Sequence, residues 1–203
     1  MIFVLFVFII FMWRGCTVPT KEIVLDEYIT PASVIPQQRW KNIKIELRRY
    51  TTYRYYLDSI DTYITITKPY FVRRLSWDNT WITDDDIENW YGILYWNANA
   101  HGKVLIGGLG LGMIQNRLKN NNRVTSITTV EINPEIIQFL RQYYEIGEVI
   151  QGDFYEYLKN TNVVYDTIIG SIWTISRNRP IKDIQKFEDI ADEKFPYSTI
   201  LHW

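Results

Sequence analysis

Four glycines crowd the stretch Gly107-Gly108-Leu109-Gly110-Leu111-Gly112, entered from Val104-Leu105-Ile106 and left through Met113. Glycine has no Cβ, so a turn of this kind lets main-chain N–H groups and a helix dipole come close to a polar or anionic group. Further on, Thr128-Thr129-Val130 ends in Glu131. A carboxylate at a strand tip can accept hydrogen bonds from both hydroxyls of a ribose. Glycine turn and acidic strand end together point to nucleoside binding by an α/β domain.

The spacing of the glycines narrows the ligand. A dinucleotide fingerprint wants glycine at the first, third and sixth places. Counting from Gly108, the third place is Gly110, but the sixth is Met113. The glycines fall instead at Gly108, Gly110 and Gly112. That G-x-G-x-G pattern resembles the first motif of class I S-adenosylmethionine-dependent methyltransferases. The resemblance runs over about residues 100–175 and includes Val130-Glu131-Ile132-Asn133-Pro134, Gln151-Gly152-Asp153-Phe154 and Tyr165-Asp166-Thr167-Ile168-Ile169. Within the superfamily these segments look most like the spermidine synthase-like branch. Ile106 stands where the wider superfamily often has an acid, and that branch is commonly apolar there.

The resemblance implies S-adenosylmethionine as cofactor and a set of contacts to it. Gly108, Gly110 and Gly112 would let the main chain approach the methionine and ribose portions. Glu131 would hold the ribose hydroxyls, or else be a solvated strand end. On the first reading, alanine at position 131 weakens binding and leaves the fold intact. Ile132 would pack on the adenine. Asp153 would accept from its exocyclic amine, cap the following helix, or do both, and Phe154 would cover the ring. Ser171 joins this set and marks a departure. Aminopropyltransferases place an aspartate there to deprotonate the attacking amine, and a lone serine hydroxyl is a poor base near neutral pH. Methyl transfer to a small molecule is therefore expected ahead of polyamine aminopropyl transfer. A nucleoside-binding protein without catalysis is a third reading, and a nicotinamide dehydrogenase a fourth.

These residues need a scaffold, and the pattern supplies one. Strands are predicted at Lys103–Gly107, Ser126–Glu131, Glu148–Gln151 and Tyr165–Gly170. Helices are predicted from Gly112 to Lys119, Pro134 to Tyr144, Asp153 to Asn160 and Ile181 to Glu193, before a short apolar end at Tyr197–Trp203. This alternation predicts a Rossmann-like, doubly wound, mostly parallel sheet, truncated after strand four or five. Strand one should lie between strands two and four, with the site at the strand C-terminal ends. Ahead of it, Ile43–Leu47, Tyr53–Leu57 and Thr62–Thr67 suggest a small antiparallel β unit with a turn at Asp58–Asp61. Thr83 reads as the N-cap of a helix over about Asp85–Ala98. The acids Asp84, Asp85 and Asp86 then form a solvated helix end or, as the resemblance to polyamine synthases implies, a site for a cationic amine. Three units result: an apolar tail over 1–16, a connector and β unit over 17–82, and the cofactor-binding domain over 83–203.

Composition bounds the rest. The chain has 203 residues and a net charge of −1, without a basic block, so nucleic acid is not expected as a partner. One cysteine, Cys16, suits a reducing compartment, and with only His101 and His202 beside it no His/Cys metal cluster is expected. Met1 to Trp13 is continuously apolar but short for a membrane span. It reads as a membrane-associating tail, a secretory remnant or a start placed too early. A cytoplasmic protein is expected, with membrane association through the tail as the alternative. The acceptor and the oligomeric state are not legible.

Overall fold

The computed structural model describes residues 21–51, 53–57, 61–173 and 181–202. The apolar tail, Cys16 and most of the Asp58–Asp61 turn lie outside the described residues.

The N-terminal part forms two sheets rather than one. Strands β1 (Lys21–Leu25), β2 (Gln38–Trp40), β3 (Ile43–Tyr50), β4 (Tyr53–Leu57), β5 (Thr62–Ile66), β6 (Tyr70–Trp77) and β7 (Thr80–Asp84) follow in order. They pair as β2-β3-β6-β7, antiparallel throughout, and as β1-β5-β4, where β1 runs parallel to β5. In β5 the alternation is clean: Thr62, Ile64 and Ile66 point inward. β1 shows no such alternation, because its first four residues are exposed, and the expected β unit, which starts at Ile43, does not include it. β6 was also unassigned. Arg73 and Arg74 interrupt its apolar pattern, yet each finds a carboxylate in the fold, Asp85 at 3.8 Å and Asp84 at 3.4 Å.

The helix α1 (Ile87–Asn99) begins later than the sequence suggests, and Asp86 is its N-cap, accepting from the Asn89 N–H at 2.8 Å. Thr83 instead belongs to β7. After it the strands and helices alternate: β8 (Gly102–Gly107), α2 (Met113–Leu118), β9 (Val124–Glu131), α3 (Pro134–Leu140), β10 (Glu148–Gln151), α4 (Phe154–Asn160), β11 (Thr167–Gly170), α5 (Ile181–Lys194) and β12 (Thr199–His202). Pro134 opens α3, where its missing N–H costs nothing, and Asn133 caps it through the Glu135 N–H at 2.9 Å. α3 stops at Leu140, short of the predicted Tyr144. The chain leaves the helix there, and the Tyr144 hydroxyl donates to the Leu111 carbonyl in the glycine loop.

The five strands run parallel in the order β10-β9-β8-β11-β12, so the first strand lies centrally and the short apolar end becomes the fifth strand. β8 is buried on both faces. Val104 and Ile106 pack with α1, α2, α3 and the four-stranded sheet, while Leu105 packs with Phe154, Leu158, Phe187 and Ala191 of α4 and α5. Helices thus cover both sides of the sheet, as a parallel sheet requires. Ile43, Ile45 and Leu75 share one continuous core with Val104, Ile106 and Ile169. Among the described residues no helix is long and apolar enough to cross a membrane.

Candidate functional site

A cavity of about 650 Å³ opens at the C-terminal ends of β8, β9, β10 and β11. Gly108, Gly110, Glu131, Ile132, Asp153, Phe154 and Ser171 all line it. Gly112 does not. It starts α2 in the left-handed region (φ +69°), with the Tyr144 ring against it.

The glycine loop is shaped by its neighbours. Gly108 has φ +88°, and a Cβ there would lie 2.3 Å from the Ser171 carbonyl oxygen, so only glycine lets the β8 and β11 ends meet. Its N–H donates to the Val130 carbonyl at 2.8 Å. The Leu109 N–H donates to Glu131 Oε2 at 2.8 Å. The N–H groups of Gly110 and Leu111 have no partner among the described residues, which leaves them for a ligand. Gln115 fixes the loop from below, donating through Nε2 to the Gly108 carbonyl at 3.3 Å and to Thr129 Oγ1 at 3.1 Å.

Glu131 is buried, not solvated, with 6% of its surface exposed. Its Oε1 accepts the Asn133 N–H at 2.8 Å while Oε2 accepts that of Leu109. Burial pushes the carboxyl above its ordinary range, and the N–H groups of Leu109, Asn133 and Ile132 oppose that shift. A carboxylate has about four lone-pair positions, so acceptor capacity remains beyond the Leu109 and Asn133 N–H groups. Ile132 is 66% exposed on the cavity rim, a large apolar side chain with an open face. Asp153 caps α4 through the Glu156 N–H at 3.0 Å and still lines the cavity. Phe154 lies deeper: it stacks on Phe187 at 5.9 Å, and a Cβ on Gly107 would come within 2.4 Å of its ring.

Other walls come from elements the motifs did not implicate. Trp77, Ile82 and Thr83 of the four-stranded sheet, Asn89 and Ile93 of α1, and Trp173 after β11 all line the cavity. Trp77 Nε1 donates to Glu135 Oε2 at 3.0 Å, which ties that sheet to the start of α3. No local pattern marks Trp77, Ile82 or Thr83, because sheet pairing brings them to the cavity.

The acidic run is not a solvated helix end. Asp84 and Asp85 are buried, at 3% and 0% exposure. Asp84 pairs with Arg74 and accepts from Asn89 Nδ2 at 2.9 Å. Asp85 pairs with Arg73 and accepts from Thr30 Oγ1, and burial raises its carboxyl above the ordinary range. Neither lines the cavity.

Helices on both faces of a five-stranded parallel sheet, with the cavity at its C-terminal edge, define a Rossmann-like α/β fold. No protein-family model matches the chain, and no curated protein does either. Solved structures do resemble it. A spermidine synthase in complex with the transition-state analogue AdoDATO is 19% identical, with a TM-score of 0.40, over 49% of this chain and 39% of that one. The Thermotoga maritima spermidine synthase is 15% identical, TM-score 0.46, over 71% of this chain and 54% of that one. The human methyltransferase-like protein 13, solved with S-adenosylhomocysteine, is 16% identical, TM-score 0.43, over 57% and 64%. The chain thus spans less than two thirds of these proteins, and the likeness concerns the fold alone.

Proposed function

We propose that this chain binds S-adenosylmethionine in the cavity and transfers its methyl group to a small-molecule acceptor. One observation carries the reading. The described cavity wall holds two carboxylates, Glu131 and Asp153, and no lysine, arginine or histidine. That charge pattern suits a sulfonium-bearing nucleoside and disfavours the pyrophosphate of a dinucleotide. Glu131 would accept from the ribose hydroxyls, Ile132 would cover the adenine, and Asp153 would accept from its amine. The free N–H groups of Gly110 and Leu111 would face the amino-acid portion.

When bound, the sulfonium supplies an electrophilic methyl: the acceptor lone pair forms the new bond, the carbon–sulfur bond breaks, and sulfur keeps its electrons. The acceptor proton passes to water. Ser171, the polar side chain at the β11 end, is no base on its own, so the wall's contribution is alignment. The same residue supports nucleoside binding without chemistry as a second reading.

The test uses calorimetry of the full chain with S-adenosylmethionine, S-adenosylhomocysteine and NAD, followed by methylthioadenosine release from decarboxylated S-adenosylmethionine with putrescine. Binding of the first two, without NAD binding and without methylthioadenosine, is the expected result. Tighter binding of NAD would overturn the cofactor assignment. Robust methylthioadenosine release would replace methyl transfer by aminopropyl transfer.

A further inference from the structure

Building on that cofactor assignment, we infer that the acceptor is a neutral aromatic molecule carrying its own hydrogen-bond donor, and that Asn89 is the residue that recognises it. With the nucleoside along Glu131, Ile132 and Asp153, the wall left for the acceptor is Ile82, Thr83, Asn89, Ile93, Ile172 and Trp173. None of these six is ionisable. Asp84 and Asp85, next to Thr83 in the chain, do not line the cavity and are paired with Arg74 and Arg73. A carboxylate would lose its hydration here and meet no opposite charge, and a diamine would find carboxylates only on the nucleoside side, at Glu131 and Asp153.

The two polar side chains of this wall on the N-terminal side are both committed as donors. Asn89 is buried at 8% exposure, and its Nδ2 donates to the Asp84 carbonyl at 3.1 Å and to Asp84 Oδ1 at 2.9 Å. Both of those atoms can only accept, so the network fixes which end of the amide is nitrogen. Arg74 holds the other Asp84 oxygen at 3.4 Å. Asn89 Oδ1 has no partner among the described residues. Thr83 Oγ1 likewise donates, to the Asp84 carbonyl at 3.4 Å, and keeps its lone pairs. The N-terminal side of this wall therefore offers acceptors, while the Trp173 Nε1–H, buried in the same wall, is a donor. A site built this way favours a ligand with an N–H or O–H over the same skeleton without one, because only the former replaces the hydrogen bond that water gives the Asn89 oxygen. The Trp173 indole and the three isoleucines supply apolar surface for a ring.

The experiment titrates the full chain, saturated with S-adenosylhomocysteine, with four probes of one shape: 2-naphthol, naphthalene, 2-naphthoate and 2-naphthylmethylammonium. Tryptophan fluorescence and calorimetry read the binding. The expected order places 2-naphthol about tenfold tighter than naphthalene, with both charged probes weaker than 2-naphthol. Asn89→Leu should bring 2-naphthol down to the naphthalene level while S-adenosylhomocysteine affinity stays unchanged. Either charged probe binding as tightly as 2-naphthol overturns the proposal, and so does a 2-naphthol preference that survives Asn89→Leu. The wild-type ranking decides even if that variant fails to fold. A wild type that ignores S-adenosylhomocysteine refutes the cofactor reading instead, and the probe ranking on the apo chain still judges the neutral chamber.

Discussion

Replacing Glu131 by glutamine should lower both the stability of the empty protein and its affinity for S-adenosylhomocysteine. The carboxylate accepts two main-chain N–H groups, from Leu109 and Asn133, each at 2.8 Å. Glutamine keeps one acceptor oxygen and turns an NH2 toward the other N–H. One charge-assisted bond is lost, which costs about 1.5–3 kcal/mol, and a buried donor is left without a partner. For a chain of this size the unfolding midpoint should fall by roughly 3–12 °C. On the proposed reading the same acceptor would face the ribose, so affinity should fall by roughly ten- to a hundredfold. Glu131→Ala removes both anchors and should destabilise more, contrary to the expectation that alanine leaves the fold intact. Thermal unfolding of the apo chain and calorimetry with S-adenosylhomocysteine read the two effects separately. An unchanged midpoint would refute the claim that Glu131 holds the loop, and unchanged affinity would remove it from the ribose site.

Two further perturbations follow from the same geometry. Gly108→Ala places a methyl 2.3 Å from the Ser171 carbonyl on a backbone at φ +88°, so S-adenosylhomocysteine binding should be lost and the midpoint lowered; calorimetry showing wild-type affinity would mean the loop is not the binding element. Burial, together with the neighbouring charge of Asp84, raises the Asp86 carboxyl to about 7. A group with a raised folded-state pKa contributes stability below its unfolded value and loses it as pH rises through the folded one, so stability should decline between about pH 4 and about pH 7. Asp86→Asn keeps a good N-cap without the charge and should raise the unfolding midpoint at about pH 8 more than at about pH 5; equal gains at both would assign the pH dependence elsewhere.

The parallel sheet was legible because its signals are local. Val104-Leu105-Ile106, the glycine loop, Glu131 and Pro134 each declare their element within a few residues, and strand order follows from the alternation. The N-terminal sheets were not legible in the same way. β1 is exposed along most of its length, and the arginines of β6 look solvent-facing until Asp84 and Asp85 are folded against them. The same long-range pairing buried acids that the sequence left solvated. The cavity divides along this line. Its loop side, with Gly108, Glu131 and Asp153, could be named from motifs, whereas Trp77, Thr83 and Asn89 come from distant segments whose meeting no local spacing records.

The central position of β8 has a kinetic side. Its pairing with β9 closes a short excursion of chain, but its other edge stays open until β11 arrives, when Val104 meets Thr167 and Gly107 meets Gly170. Until then an apolar strand presents unpaired main chain, a template for association between nascent or refolding molecules. Such non-local closure slows folding, since loop entropy is lost before contacts compensate. The Ser171 carbonyl that crowds Gly108 reaches its place in that same late step. The binding loop therefore acquires its final shape only when the sheet closes. Ligand can trap the finished fold but cannot template its early stages, so added nucleoside should slow unfolding while leaving the refolding rate unchanged.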